Sequence, residues 1–418
     1  MNRTNLLKTL GPGILFASTA IGVSHLVQST RAGADYGFSL IIFVLAANVF
    51  KYPFFEFSSR YANATGTSLI DGYNRIGRWA LAIYVLITLS SMFFVTAAVG
   101  AVTAGFMDNL LGVPQLFEFE KTSLIVTFIV CIIILLLGKY KVLDSLIKVI
   151  ATVLLISTLF AFILTIFHGQ APKVKGFAAP NIFSNASIGF IVALMGWMPT
   201  ALDLSSWNSL WTVARIKQTG YKPKLKETIL DFNLGYITTA ILSICFLTLG
   251  AYLMFGTGET FPESSALFAN KVVELYTKSI GEWSYFIIAV AAFSIMFGTA
   301  LAVFDGYART LERSTKLLFF ENKPFNTKKL YSIALLVTGL GSFLIVLFFS
   351  KSLTDLIDFA SAISFLIAPL IAIANYKLVQ KKYVGHEAAP PKWLRVLGIC
   401  GIIFLIAFSI FFIVIKLN

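Results

Sequence analysis

Long apolar stretches recur along the chain at residues 11–33, 37–60, 79–107, 122–138, 142–167, 186–214, 229–255, 284–312, 329–350, 355–378 and 394–416, separated by short polar connections. Runs of about 20 apolar residues have the length of a bilayer-spanning helix, so the pattern predicts eleven transmembrane helices and an all-α polytopic membrane protein. Two runs are interrupted. The first opens on Gly11-Pro12-Gly13 and carries Gly22, Ser24, His25 and Gln28 at membrane depth. The sixth reads Met195-Gly196-Trp197-Met198-Pro199-Thr200-Ala201-Leu202-Asp203, with a proline and a carboxylate in mid-run. Polar breaks in a spanning helix are costly unless they face a cavity or a bound solute, so these two mark a substrate site.

Composition agrees. The chain is 57% hydrophobic and 13% charged, with a mean hydropathy of +0.83, more apolar than a soluble surface tolerates. The net charge of +13 would point to nucleic acid in a soluble protein. Here the basic residues lie between spans, where they set orientation, and no nucleic-acid partner is expected. Arg60, Arg75, Arg78, the Lys139/Lys141 turn, Arg215 to Lys226, Arg309 to Lys329 and Lys377 to Arg395 fall on one side. Asp108, Glu118, Glu120, Glu259, Glu263, Glu274 and Glu282 fall on the other; only Lys173 and Lys175 dissent. This predicts a cytoplasmic N-terminus and an extracytoplasmic C-terminus. The first run lacks a small-residue cleavage site and is read as a retained span. Cys131, Cys245 and Cys400 sit singly in separate runs, with no spacing for zinc or a disulfide.

The first ten helices divide into 1–5 and 6–10, with an interrupted segment opening each half. A five-helix unit inverts on repetition, which places the two breaks together near the midplane. The expected organisation is a first repeat over 1–170, a second over 181–379, and a linker with a peripheral helix over 380–418. Ala388-Ala389-Pro390-Pro391 reads as a flexible join.

Gly11-Pro12-Gly13, the helix 2 exit Ser58-Ser59-Arg60 running into Gly66-Thr67, and Met198-Pro199 resemble the Nramp divalent-metal transporters over nearly the whole chain. The resemblance implies a LeuT-type 5+5 inverted repeat with helices 1 and 6 broken, and secondary transport by alternating access. The family's Asp-Pro-Gly-Asn motif falls on Gly22, Val23, Ser24 and His25, so a glycine stands where the family has its charged metal ligand. The Met-Pro-His motif becomes Met198-Pro199-Thr200. The family's acidic positions on helix 3, counted back from Gly112-Val113-Pro114, fall near Thr96 and Val99.

These departures bear on the cargo. Dehydrating a divalent cation at membrane depth requires compensating negative charge. An imidazole at His25 and a thioether at Met198 suit softer metals. The candidate substrate site is Gly22, Ser24, His25, Met195, Met198, Thr200 and Asp203, with His25 and Met198 as metal ligands and His25 and Asp203 as proton carriers. Asp203 has an alternative role, as a carboxylate paired with Lys51. Three functions compete: a metal ion carrier; a carrier of the same fold for a small organic solute such as an amino acid, gripped by the backbone of Ser18 to Ser24; and a non-transporting sensor or scaffold. No nucleophile and base pairing at membrane depth supports an enzyme, and no cofactor is implied. The compact chain is expected as a monomer in a bacterial inner membrane, its partners being the lipid bilayer and a small solute or metal ion.

Overall fold

The computed structural model describes residues 8–112, 121–138, 140–321, 326–348 and 352–417, without the side chains of 140–151 and 154. Val113, Pro114, Glu118, Glu120, Lys139, Lys323, residues 349–350 of the ninth run and the Lys141 side chain lie outside that description.

All eleven runs appear as helical segments. The first is α1 (Pro12–Ala20) and α2 (Thr30–Tyr36), joined through a π-helical stretch at Ser24–Ser29. Spans two to five are α3 (Ile41–Thr65), α5 (Arg78–Leu111), α6 (Thr122–Leu136) and α7 (Tyr140–His168), with the short surface helix α4 (Leu69–Ile76) between the second and third. The sixth is α8 (Asn185–Gly196) and α9 (Ser205–Thr219), joined by a 3₁₀ turn at Leu202–Leu204. Then come α10 (Leu225–Leu253), α11 (Ser265–Ile280), α12 (Tyr285–Phe319), α13 (Thr327–Phe348), α14 (Leu353–Leu378), α15 (Lys381–Val384) and α16 (Lys392–Leu417). Seven stretches among the described residues are long and apolar enough to cross a membrane unaided. The other four spans are the two broken ones, the shorter α6, and α7, whose side chains are described only in part.

Two elements differ from the sequence reading. The connection before the eighth span holds the helix α11, which buries Phe268, Val272, Val273 and Tyr276. Its charged residues made it read as a loop. The 380–393 linker is tied down, since it contains α15 and the Ala388 carbonyl accepts from Arg60 Nη1 at 2.9 Å. Arg60 is held in turn by Glu56 at 2.5 Å, one turn earlier on α3.

Lipid is as apolar as leucine, so spanning helices gain little from burying apolar area against one another and associate through close approach. The broken first span rests on α10 in this way. A Cβ on Gly13 would lie 1.9 Å from the Asp231 carbonyl oxygen, and one on Gly33 would lie 1.9 Å from that of Leu247. Facing them, Gly235 and Gly250 leave no more room, at 2.1 Å from the carbonyls of Gly13 and Thr30. Asp231 also caps α1, accepting from the backbone N–H groups of Gly11 (3.0 Å) and Gly13 (2.7 Å). This seam fixes where the first break sits.

Candidate site between the broken helices

Helix α1 loses regular bonding after Ala20. The Gly22 carbonyl accepts from both His25 N (3.2 Å) and Leu26 N (3.1 Å), and the chain continues in wider π turns. Side chains take up the freed carbonyls: the Ser24 hydroxyl bonds the Ala20 oxygen, and His25 Nδ1 lies 2.8 Å from it. In the sixth span α8 stops at Gly196, and Trp197 to Ala201 are unwound before the 3₁₀ turn. Proline lacks an N–H, so Pro199 cannot serve the turn before it. The carbonyls this leaves are collected by Lys51 of α3, whose Nζ donates to Met195 O (2.6 Å), Gly196 O (2.8 Å) and Thr200 O (3.3 Å).

The two breaks touch. Ser24 Oγ lies 3.1 Å from the Pro199 carbonyl oxygen, and between them is a cavity of about 30 Å³ lined by Thr19, Ser24, Trp197, Thr200, Thr299 and six apolar residues that include Val95 and Val99. That is room for about one or two waters. Thr19 donates to Leu15 O (2.8 Å), Ser24 to Ala20 O or Pro199 O, and Thr299 to Ser18 O (3.1 Å). A hydroxyl has one proton and two lone pairs. With their protons committed to the backbone, these three groups offer the cavity acceptor oxygens only.

The predicted residues divide. Ser24 and Thr200 line the cavity. Gly22 sits against Thr299 of α12, whose Oγ1 would be 2.6 Å from a Cβ at position 22. His25 is fully buried and turned the other way, with Nε2 2.8 Å from the Thr239 carbonyl of α10 and Nδ1 at Ala20 O and Ser24 Oγ. Met195 and Met198 belong to the apolar cluster that includes Phe54, Phe55, Leu202 and Phe365, and neither lines the cavity. Asp203 is 5% exposed and accepts from Ser91 Oγ at 3.3 Å. It is not within ion-pair distance of Lys51, because the unwound carbonyls claim that ammonium first. Among the described residues no three His, Cys, Asp or Glu side chains gather as a metal site.

Trp197 lines the cavity and donates from its indole N–H to Ser364 Oγ at 3.0 Å, whereas Trp207 stacks edge-on against Tyr307 at 4.8 Å as packing. Thr19 and Thr299 escaped the sequence reading, since one hydroxyl in an apolar helix carries no signal until its neighbours are known. Farther along the first span, Arg31 of α2 grips Asp358 of α14 through two bonds of 2.8 and 3.0 Å, with Gln28 joining at 3.0 Å. A larger cavity of about 320 Å³ opens where α3 ends, lined by Ser68, Asp71, Lys217, Arg309, Glu312 and Arg313 among others.

The whole chain has known counterparts. It is 38% identical over 408 residues to the uncharacterized protein PM0681 of Pasteurella multocida, covering 97% of this chain and 91% of that one. It is 23% identical over 435 residues to the divalent metal cation transporter MntH of Levilactobacillus brevis, covering 99% and 90%. Its fold matches a point mutant of the Eremococcus coleocola manganese transporter with a TM-score of 0.69 at 15% identity, covering 97% of this chain and 86% of that one. Residues 13–415 match the family model described as natural resistance-associated macrophage protein-like. With the eleven spans and both helix breaks of the LeuT-type bundle in place, this integral membrane protein belongs to the Nramp family.

Proposed function

We propose that this chain is a secondary transporter working by alternating access, that its cargo is a metal ion, and that the cargo rests on neutral oxygens between the two breaks. The observation that carries the reading is that Thr19, Ser24 and Thr299 line the cavity and spend their hydroxyl protons on the backbone, which leaves their oxygens as acceptors. Such a site suits a cation or another electron-poor group and repels an anion. The metal class comes from relatives, MntH among them, named as metal cation transporters. Without a carboxylate the grip is weak, because neutral ligands return only part of a divalent ion's hydration energy. In this reading His25 and Asp203 are the midplane groups that carry a coupling proton. The inverted repeats run over 1–170 and 181–379, and the N-terminus lies in the cytoplasm of a bacterial cell.

The same cavity supports a second reading, a small organic solute carried through its ammonium or amide N–H groups. What favours it is the ammonium of Lys51 on the Thr200 carbonyl, a fixed positive charge beside the site that opposes a doubly charged ion more strongly than a singly charged or neutral N–H donor. Purified protein in liposomes separates the two. Uptake of manganese or magnesium, reported by a dye inside and reduced severalfold in Thr200→Val and Ser24→Ala, is the expected result. No flux of any divalent ion, with accumulation of a labelled amino acid that the same variants reduce, overturns the metal reading.

A further inference from the structure

Lys51 is fully buried in the middle of α3, opposite the sixth-span break. Its Nζ meets three carbonyl oxygens, those of Met195, Gly196 and Thr200, at 2.6, 2.8 and 3.3 Å. An ammonium has three N–H donors and no acceptor, so three carbonyls satisfy it completely; a neutral amine would turn a lone pair onto one of them. Among the described residues no carboxylate lies within ion-pair distance of the Lys51 ammonium. The compensating charge comes from the carbonyl dipoles where α8 ends, the negative end of that helix.

Converging carbonyl oxygens at an unwound helix end are the ligand set that broken transporter helices present to a monovalent cation. Here the chain supplies the cation. Lysine side chains do cap helix C-termini, but they do so at the surface, from the last turn of the same helix. Lys51 reaches across from another helix, and burying an ammonium costs several kcal/mol unless it is well coordinated. We propose that Lys51 is a tethered cation: its ammonium fills a monovalent-cation site at the break of the sixth span, so this protein holds the break in shape without sodium or potassium.

The inference goes beyond the transport reading and does not depend on the cargo, so it is tested on stability alone. The full chain in detergent is melted in choline, sodium, potassium and methylammonium chloride at equal ionic strength. Wild-type protein is expected to melt at one temperature in all four. Lys51→Ala should melt lower in choline and regain at least half the loss, saturably, with sodium, potassium or methylammonium. Lys51→Gln, which fills the space with an uncharged amide, should melt below wild type and ignore the salt. Two results overturn the proposal: a Lys51→Ala protein that melts equally low in all four salts, or a Lys51→Gln protein as stable as wild type. Should Lys51→Ala not fold in choline, the yield of monodisperse protein purified in methylammonium replaces the melt, and an equal failure there overturns the proposal too. Failure of metal uptake would leave these results untouched.

Discussion

Restoring the family's carboxylate at position 22 tests the site most directly. Gly22→Asp alone should fail for steric reasons. Its Cβ would sit 2.6 Å from Thr299 Oγ1, 2.7 Å from Cγ2 and 3.1 Å from Cβ, an overpacking that costs about 1–3 kcal/mol. Thr299→Ala removes the two worst contacts, so the double variant Gly22→Asp/Thr299→Ala should fold. A carboxylate about 4 Å from a divalent ion gains roughly 8 kcal/mol at an effective dielectric of about 20. Desolvating the new charge takes back several kcal/mol. About 3 kcal/mol should remain, close to a hundredfold in affinity. His25 is left unchanged, since its ring is bound to α10. Isothermal titration with manganese should find weak or no binding by wild type and Thr299→Ala, and clear binding by the double variant. Wild-type binding as tight as that of the double variant would refute the reasoning, as would a double variant that melts like wild type yet binds no better.

The ion pairs and the packing can be probed in the same way. On the surface helix α4, burial alone would raise the Asp71 pKa, but hydrogen bonds from Arg313 and Ser68 outweigh it and hold the carboxyl below its usual range. A depressed carboxyl stabilises above its unfolded pKa, so the melting difference between wild type and Asp71→Asn should be constant from about pH 5 to 8 and close as pH falls below about 4. Asp358→Ala cuts the bonds from Arg31 and Gln28, and a cysteine placed at Ser24 should then react severalfold faster with a membrane-impermeant thiol reagent; an unchanged rate would mean that this pair seals nothing. Gly33→Ala, with a Cβ 1.9 Å from the Leu247 carbonyl oxygen, should destabilise by about 1–3 kcal/mol or more in thermal melts, whereas Gly66→Ala, with open space around it, should lose only what its left-handed turn requires.

The architecture was legible because it rests on hydropathy and on two residue types. Runs of apolar residues marked the spans, and Gly22 and Pro199 marked where backbone bonding fails; both breaks fall there. Side-chain direction was not legible. Ser24 to Ser29 wind as a π-helix, and each wider turn shifts the phase of the downstream helix by about one residue. No sequence pattern announces this, nor that His25, at the start of the stretch, faces Thr239 rather than the cavity. Lys51 is a similar case. The sequence offers it a carboxylate at Asp203, but only the folded chain shows three carbonyls of the sixth-span break converging on the same ammonium. The helix in the seventh connection was hidden by charges that point outward from an otherwise apolar face.

The glycine seam of the first span also constrains how the molecule can move. Gly13 lies before the break and Gly33 after it, yet both press on the backbone of a single uninterrupted helix, α10. A fractured rod strapped at both ends to an intact one is splinted. Neither half can swing at Ile21–Val23 unless α10 bends with it or a strap lets go. The fracture therefore exposes polar groups without acting as a joint, and in the proposed alternating-access cycle the swing belongs to the sixth span and to whatever α10 carries along.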